Sequence, residues 1–349
     1  MGRRVLVTGL ASFWGGRMAQ TLEASPDVDV IIGLDTEEPR VELERTEFVR
    51  ADQSYSILAR LVRATAVDTI LHTFLVVDST HMGGRALHET NVIGTMNLLA
   101  AASAPGSSVR DLVVKSSTLV YGSTERDPYW FREEHRRTGT ARTRLERSLL
   151  EVEDYLSDFA QDNPRVCVRV LRFANVLGAD IVTPISRLLE LPVVPAIAGF
   201  DPLLQFVEET DVIRSIQFVL ERHLPGVFNV AGDGRLPWSE CASIVGRLTA
   251  PLLPPYFTDL VAKNLGRLHI ADLPPEVLSL LRHGRGVDNR RLQDAGFDYR
   301  FTSAGAVDSF AKALRLRRAT DVTGNNYRYE RDVENFFRHS PAVVRNPES

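Results

Sequence analysis

The sequence predicts an α/β fold, a doubly wound parallel sheet with a smaller C-terminal region that caps it. Three observations carry this reading. Strand-like apolar runs alternate with helical segments six times between Val5 and Phe173, the order that parallel strands joined by right-handed crossovers produce. The first run, Val5 to Thr8, breaks into a glycine-bearing turn and opens onto an amphipathic segment. Beyond Asn175 the alternation loosens, with prolines at 184, 192, 195 and 202, as suits a loop-rich cap. Residues 1–177 form the first unit, joined by returning elements at about 204–232; 178–203 and 233–318 form the cap, and 319–349 a tail.

The first strand leads into Thr8-Gly9-Leu10-Ala11-Ser12-Phe13-Trp14-Gly15, with serine where a middle glycine is expected. Strand, tight turn and helix N-terminus together make a pyrophosphate cradle of the Rossmann type. The second strand, Val28 to Leu34, ends in Asp35, whose carboxylate is placed to accept from an adenosine ribose diol. Thr46 to Asp52 is a short third strand, followed by a helix carrying Ile57, Leu58, Leu61 and Val62. Val67 to Phe74 is the fourth strand, with His72 near its end read as a packed, hydrogen-bonded core residue. One long helix is expected from Leu87 to Ala102, stopped by Pro105-Gly106. The fifth strand, Val109 to Lys115, runs into Ser116-Ser117-Thr118, hydroxyls at the strand's carboxyl end, where open α/β folds bind ligands. Glu125 to Arg147 is strongly charged and reads as a solvated loop and helix face, with an anion-binding lid as the alternative. Leu145 to Phe159 has helical periodicity, and Val166 to Phe173 is the sixth strand. Leu204 to Val207 and Val227 to Val230 return as strand-like runs around a helix at Thr210 to Arg222. Pro251 to Arg285 mixes short helical pieces with prolines, and Thr302 to Arg317 is a last amphipathic helix. Val333, Phe336 and Phe337 suggest a short docked helix in the tail.

Composition narrows the class. The 349 residues are 44% hydrophobic and 25% charged, a globular balance. A net charge of −4 gives no basic field for nucleic acid or an anionic membrane, and no apolar run is long enough to span one. Two cysteines, Cys167 and Cys241, with Cys167 in an apolar run, point to buried thiols and the cytosol rather than a disulfide framework. No metal ligand set is assigned. Lys115, Lys263 and Lys312 are the only lysines.

Several stretches in the right order resemble motifs of the extended short-chain dehydrogenase/reductase family, the nucleotide-sugar epimerases and dehydratases of the UDP-glucose 4-epimerase type. They are the Thr8 to Gly15 turn, Asn91-Val-Ile-Gly-Thr-Met-Asn97, Ser116-Ser-Thr-Leu-Val-Tyr-Gly122, Leu171-Arg-Phe-Ala-Asn-Val-Leu-Gly178, Phe206-Val-Glu-Glu-Thr-Asp-Val212 and Val227-Phe-Asn-Val-Ala-Gly232. The similarity runs from about Arg3 to Leu316 and looks closest to an actinobacterial branch. The resemblance implies NAD as cofactor. It places the pyrophosphate on the turn formed by Gly9, Ser12 and Gly15, at the N–H groups of Phe13 and Trp14. It places the ribose at Asp35, with Thr36 beside it in the cofactor set, and the adenine near Asp52 and Gln53. Thr73, Phe74, Asn91 and Ser116 complete the cofactor set. Asn175 matches a contact to a substrate diphosphate. Relatives pair as homodimers through the fourth and fifth helices. NAD is favoured over NADP because Asp35, followed by Thr36, Glu37 and Glu38, would repel a 2′-phosphate.

The same resemblance exposes two departures. The family's chemistry uses a Tyr-x-x-x-Lys pair and a Ser or Thr; the lysine lowers the phenol pKa so that it exchanges the substrate proton. Ser117 holds the serine position. The helix, however, reads Leu145-Glu-Arg-Ser148-Leu149-x-x-x-Glu153, with leucine in both catalytic places. No tyrosine in the chain is followed four residues later by lysine. Leu204 stands where an arginine commonly grips the diphosphate. Tyr129, Tyr121 or Lys115 offer substitutes, Lys115 lying two residues before Ser117 on the same strand face, about 6 to 7 Å deeper. Their structural reading is a packed aromatic for Tyr121 and, for Lys115, a lysine held by a neighbouring carboxylate. Two functions follow: an NAD-dependent epimerase, dehydratase or dehydrogenase of a hydroxylated substrate with an unusual acid/base group, or a catalytically silent NAD(H)-binding regulatory or interaction protein.

Overall fold

A computed structural model describes residues 2–80, 82–128, 130–137, 139–254 and 273–319. Tyr129, Lys263 and the tail helix expected around Val333, Phe336 and Phe337 lie outside the described residues. In chain order the first unit contains β1 (Arg3–Thr8), α1 (Phe13–Glu23), β2 (Val28–Asp35), β3 (Thr46–Arg50), α2 (Tyr55–Ala64) and β4 (Thr69–His72). It continues through α3 (Gly84–His88), α4 (Gly94–Ser103), β5 (Asp111–Ser117), α5 (Arg144–Asp162) and β6 (Cys167–Phe173). Then come β7 (Asn175–Leu177), α6 (Pro184–Glu190), β8 (Val193–Ile197), β9 (Leu203–Leu204), β10 (Phe206–Glu208), α7 (Glu209–Glu221) and β11 (Gly226–Val230). The last elements are β12 (Leu236–Pro237), α8 (Trp238–Val245), β13 (Leu248–Leu253), α9 (Pro275–His283), α10 (Arg290–Asp294) and a helix α11 over 303–319.

Seven strands form one sheet in the order β11-β6-β5-β4-β1-β2-β3, and every neighbouring pair is parallel. The chain leaves β1 toward β2 and β3, then crosses back to β4, so the strand order reverses between β1 and β4. In this Rossmann-type topology the crevice at that reversal, beyond the strands' carboxyl ends, is where ligands bind. Both faces of the sheet are covered, which is why its strands read as unbroken apolar runs rather than alternating ones. On one face Val5, Val7 and Ile31 pack under Trp14 and Met18 of α1 and Val212 and Ile216 of α7. On the other, Leu6, Ile32 and Val114 pack against Leu58 of α2, Leu98 of α4 and Val152 of α5.

The cap has its own core, in which Leu189, Val194, Leu204, Trp238, Leu281 and Phe310 meet. Three two-stranded pairs frame it: β7 with β10, β9 with β12, and β8 with β13. Among the described residues no helix is long and apolar enough to cross a membrane.

Three local expectations are corrected. The single helix over Leu87 to Ala102 is interrupted by a π-turn at Glu89–Ile93. Asn91 sits in that turn, and its side chain accepts from Val76 N–H at 2.8 Å and donates to Val76 C=O at 2.9 Å. The charged stretch before α5 is not wholly solvated. The Arg137 side chain is 3% exposed and ion-paired at 3.0 Å with Glu146, whose carboxylate also closes the capping box at the start of α5. Cys167 is only half buried, whereas Cys241 is buried; both are free thiols.

Candidate cofactor and active site

The turn between β1 and α1 is built by close approach. Gly9 has φ +79°, and a Cβ there would lie 2.8 Å from the backbone of Phe74. A Cβ on Gly15 would lie 2.2 Å from the Gly9 carbonyl oxygen. Between them Ser12 has ordinary extended backbone, φ −75° and ψ 157°, so that position does not need glycine. Its hydroxyl donates to the Gly9 carbonyl at 2.6 Å and accepts from Gly15 N–H at 3.1 Å, which locks the turn and caps the helix. The first intrahelical bond is Gly16 N–H to Ser12 C=O. The preceding N–H groups, Phe13 and Trp14, therefore head the helix with its positive dipole end, a ready anion site.

Asp35, Thr36, Asp52, Gln53 and Glu37 line a cavity of about 680 Å³ beside this turn. The Asp35 carboxylate accepts from the N–H groups of Ala11 at 2.8 Å and Thr36 at 2.7 Å, and from Glu37 at 3.2 Å. It thus ties the glycine turn to the end of β2 while facing the cavity. Oε1 of Gln53 is buried with no partner among the described residues, an acceptor that an adenine amino group would satisfy. The residues present fit an adenine dinucleotide: a close-approach turn, helix N–H groups without a partner among the described residues, an acid at the end of β2 that lines the cavity, and an orphaned acceptor.

A second cavity of about 640 Å³ adjoins it and brings together Ser12, Thr73, Phe74, Ser116, Ser117 and Asn175. Most of these polar groups are already partly engaged. Thr73 donates to Thr8 C=O at 2.7 Å, Ser116 to Glu153 at 2.5 Å and Asn175 to Gln205 C=O at 2.9 Å. The Ser117 hydroxyl accepts from Leu119 N–H at 3.2 Å. Asn91 is placed outside both cavities. Its amide reaches Val76 and, at 3.3 Å, Ser148, so it fixes the loop after β4 against α5.

Leu145 and Leu149 are 1% and 0% exposed. They pack in an apolar cluster with Leu87, Val120, Tyr121 and Phe131. One turn further along the same helix face, Glu153 grips Ser116 and pairs at 2.5 Å with Arg172, which sets the register of α5 over the strand ends. Neither leucine lines the second cavity; Val76, Val77 and Leu119, which pack against the leucine cluster, line it instead.

The three substitutes fare differently. Tyr121 is the packed strand-end aromatic, stacked on Phe131 with ring centroids 4.7 Å apart. Its hydroxyl donates to Asn229 at 2.8 Å and accepts from Arg172 at 2.7 Å, and burial pushes its pKa up to about 12. Lys115 is 5% exposed, and the expected carboxylate is missing: no acid pairs with it among the described residues. Its ammonium lies 5.0 Å from the centre of the Trp14 ring, and burial lowers its pKa to about 7. Tyr129 lies outside the described residues. His72 is fully buried between Thr8 at 2.8 Å and Thr95 at 3.0 Å; burial, then the charge on Lys115, lowers its pKa to about 3.

The structure adds residues to the cavity wall that local sequence patterns do not reveal. Leu204 is a fully buried residue of the cap core, but Arg285 is bridged to it in parallel register and lines the second cavity. Asp78 lines the same wall, paired at 2.5 Å with Arg187, as does Glu276 in the first turn of α9. An acid in a first helical turn ordinarily reads as a partner for the helix dipole.

Comparison with known proteins agrees with this geometry. An uncharacterized protein of Mycobacterium tuberculosis is 33% identical over 319 residues, covering 89% of this chain and 84% of its own. The structure of UDP-glucose 4-epimerase from Thermotoga maritima with UDP-glucose superposes with TM-score 0.68 at 18% identity, over 90% of this chain and 99% of its own. That of the Thermus thermophilus UDP-glucose 4-epimerase complex with NAD gives 0.68 at 20%, over 89% and 99%. The family model for the NAD dependent epimerase/dehydratase family matches residues 5–231, and the chain belongs to that family.

Proposed function

We propose that this chain binds NAD(H) across the two cavities and serves oxidoreductase-type chemistry on a hydroxylated substrate without the Tyr–Lys proton relay of its relatives. The observation that carries this reading is the pair of leucines, Leu145 and Leu149, buried in an apolar cluster at the helix positions of that relay. NAD is preferred over NADP, since Asp35 and Glu37 line the adenosine cavity and would repel a 2′-phosphate. A nucleotide-sugar substrate, such as the UDP-glucose bound to the Thermotoga maritima protein, would meet no arginine at the Leu204 position, although Arg285, bridged beside it, lines the same cavity. The silent reading, an NAD(H)-binding regulatory or interaction protein, draws on the same two leucines. Calorimetric titration with NAD+, NADH, NADP+ and NADPH tests the cofactor half: NAD(H) binds more tightly, and equal affinities, or no binding to any of them, would overturn it.

A further inference from the structure

Among the described residues six ionisable side chains line the second cavity, the one beside Ser116 and Ser117: Arg17, Arg40, Asp78, Asp180, Glu276 and Arg285. Asp180 is paired with Arg17 and Asp78 with Arg187, while Arg285 donates to the Gly122 carbonyl at 3.0 Å. Among the described residues Glu276 is the one carboxylate of the set without a cation. It is 5% exposed. One oxygen, Oε1, accepts from the Ser79 hydroxyl, and the other, Oε2, is buried with no partner among the described residues. A carboxyl oxygen left so is costly unless something that enters the cavity completes it.

We propose that Glu276 is the proton acceptor for a hydroxyl of a polyhydroxylated substrate held in this cavity. This rests on the NAD-binding reading above. When bound, NAD supplies the acceptor for the carbon-bound hydrogen and its electron pair. The hydroxyl O–H bond breaks, its proton passes to Oε2, and the carbon–oxygen double bond forms. Ser79 holds the carboxyl in place from the loop after β4, a positioning residue. Burial, reinforced by the charges of Glu146 and Asp78, holds the Glu276 carboxyl above the usual carboxylate range, which makes it a stronger base than a solvated glutamate. The same neighbouring acids disfavour an anionic group at this end of the cavity. Neither Tyr121, whose phenol is held by Arg172 and Asn229, nor Lys115, which is not on the cavity wall, competes for the role.

The test uses the full chain saturated with NAD+ and three probes: D-glucose, D-galactose and myo-inositol. The carbon-13 resonance of the Glu276 carboxyl, assigned by its loss in Glu276→Gln, should move on addition of at least one probe, and bound NADH should accumulate in a single turnover. Glu276→Gln should lower that rate by about 100-fold or more with NAD+ affinity unchanged, and Glu276→Asp should keep part of it. Ser79→Ala, which leaves the carboxyl in place but loosely held, should slow the step and shift its pH profile, and serves if the Gln variant does not fold. An unmoved resonance, no NADH with all three probes, or an undiminished rate in Glu276→Gln overturns the proposal. Failure of the wild-type chain to bind NAD+ strikes instead at the cofactor reading.

Discussion

Lys115→Met is expected to make the protein more stable at pH 6, although it deletes a side chain from the interior. Burial takes the Lys115 pKa from its ordinary 10.5 to about 7. At about 1.36 kcal/mol per pKa unit the charged, buried form is disfavoured by on the order of 5 kcal/mol. The ammonium recovers part of this over the Trp14 ring, 5.0 Å from its centre, a contact worth about 1–2 kcal/mol when desolvated. Methionine has similar length and no charge, so a net gain of about 3 kcal/mol is expected. The sign of the pH dependence is set by the lowered pKa. Between about pH 7 and 10.5 the unfolded chain holds a proton on Lys115 that the folded chain has lost, so wild-type stability rises with pH across that window. The advantage of the variant should therefore be largest at pH 6 and shrink by about 2–3 kcal/mol by pH 9. Urea unfolding of both proteins at the two pH values measures it. A variant less stable than wild type at pH 6, or a difference that does not change with pH, would refute the reasoning.

Three further outcomes are expected. Asp35→Ala should narrow the preference for NAD over NADP in calorimetry and weaken both, because the carboxylate also anchors the N–H groups of Ala11 and Thr36; an unchanged ratio would remove Asp35 from the ribose site. Gly15→Ala places a methyl 2.2 Å from the Gly9 carbonyl oxygen, a clash with backbone that cannot be relieved by a side-chain rotation, so NAD affinity should fall at least 10-fold in a protein that still folds, and retained affinity would argue against the cradle. Leu145→Tyr with Leu149→Lys should keep NAD affinity and lose about 3 kcal/mol or more of stability, since an ammonium enters an apolar cluster; a folded double variant that no longer bound NAD would show that α5 is misplaced relative to the cofactor.

What was legible in the sequence is what local chemistry specifies. The β1–α1 turn could be read because Gly9 and Gly15 answer to backbone contacts within a few residues or to the neighbouring strand, and Ser12 to a capping bond three residues on. The six alternations likewise fixed a parallel sheet, and the leucines at 145 and 149 could be placed because Ser148 and Glu153 flank them at helical spacing. Lys115 was put on the correct strand face, but its partner is the Trp14 ring, which arrives from α1, so the missing carboxylate was not visible. The π-turn at Asn91 depends on a clamp to Val76, fifteen residues away in sequence. Glu276 and Arg285 reach the cavity wall through the packing of the cap, from nearly two hundred residues beyond the loop they meet; Ser79 and Glu276 are 197 positions apart. Arg137 looked like one more solvated arginine, and only the buried Glu146 at the start of α5 explains why it is inside.

The central claim, a cofactor-competent fold whose usual proton relay is gone, is tested most directly by incubating the NAD-saturated chain with UDP-glucose and quantifying UDP-galactose. With Leu145 and Leu149 in an apolar cluster, the account predicts saturable NAD binding and no interconversion above background. Turnover of about 1 s⁻¹, within the ordinary range for enzymes, would contradict it.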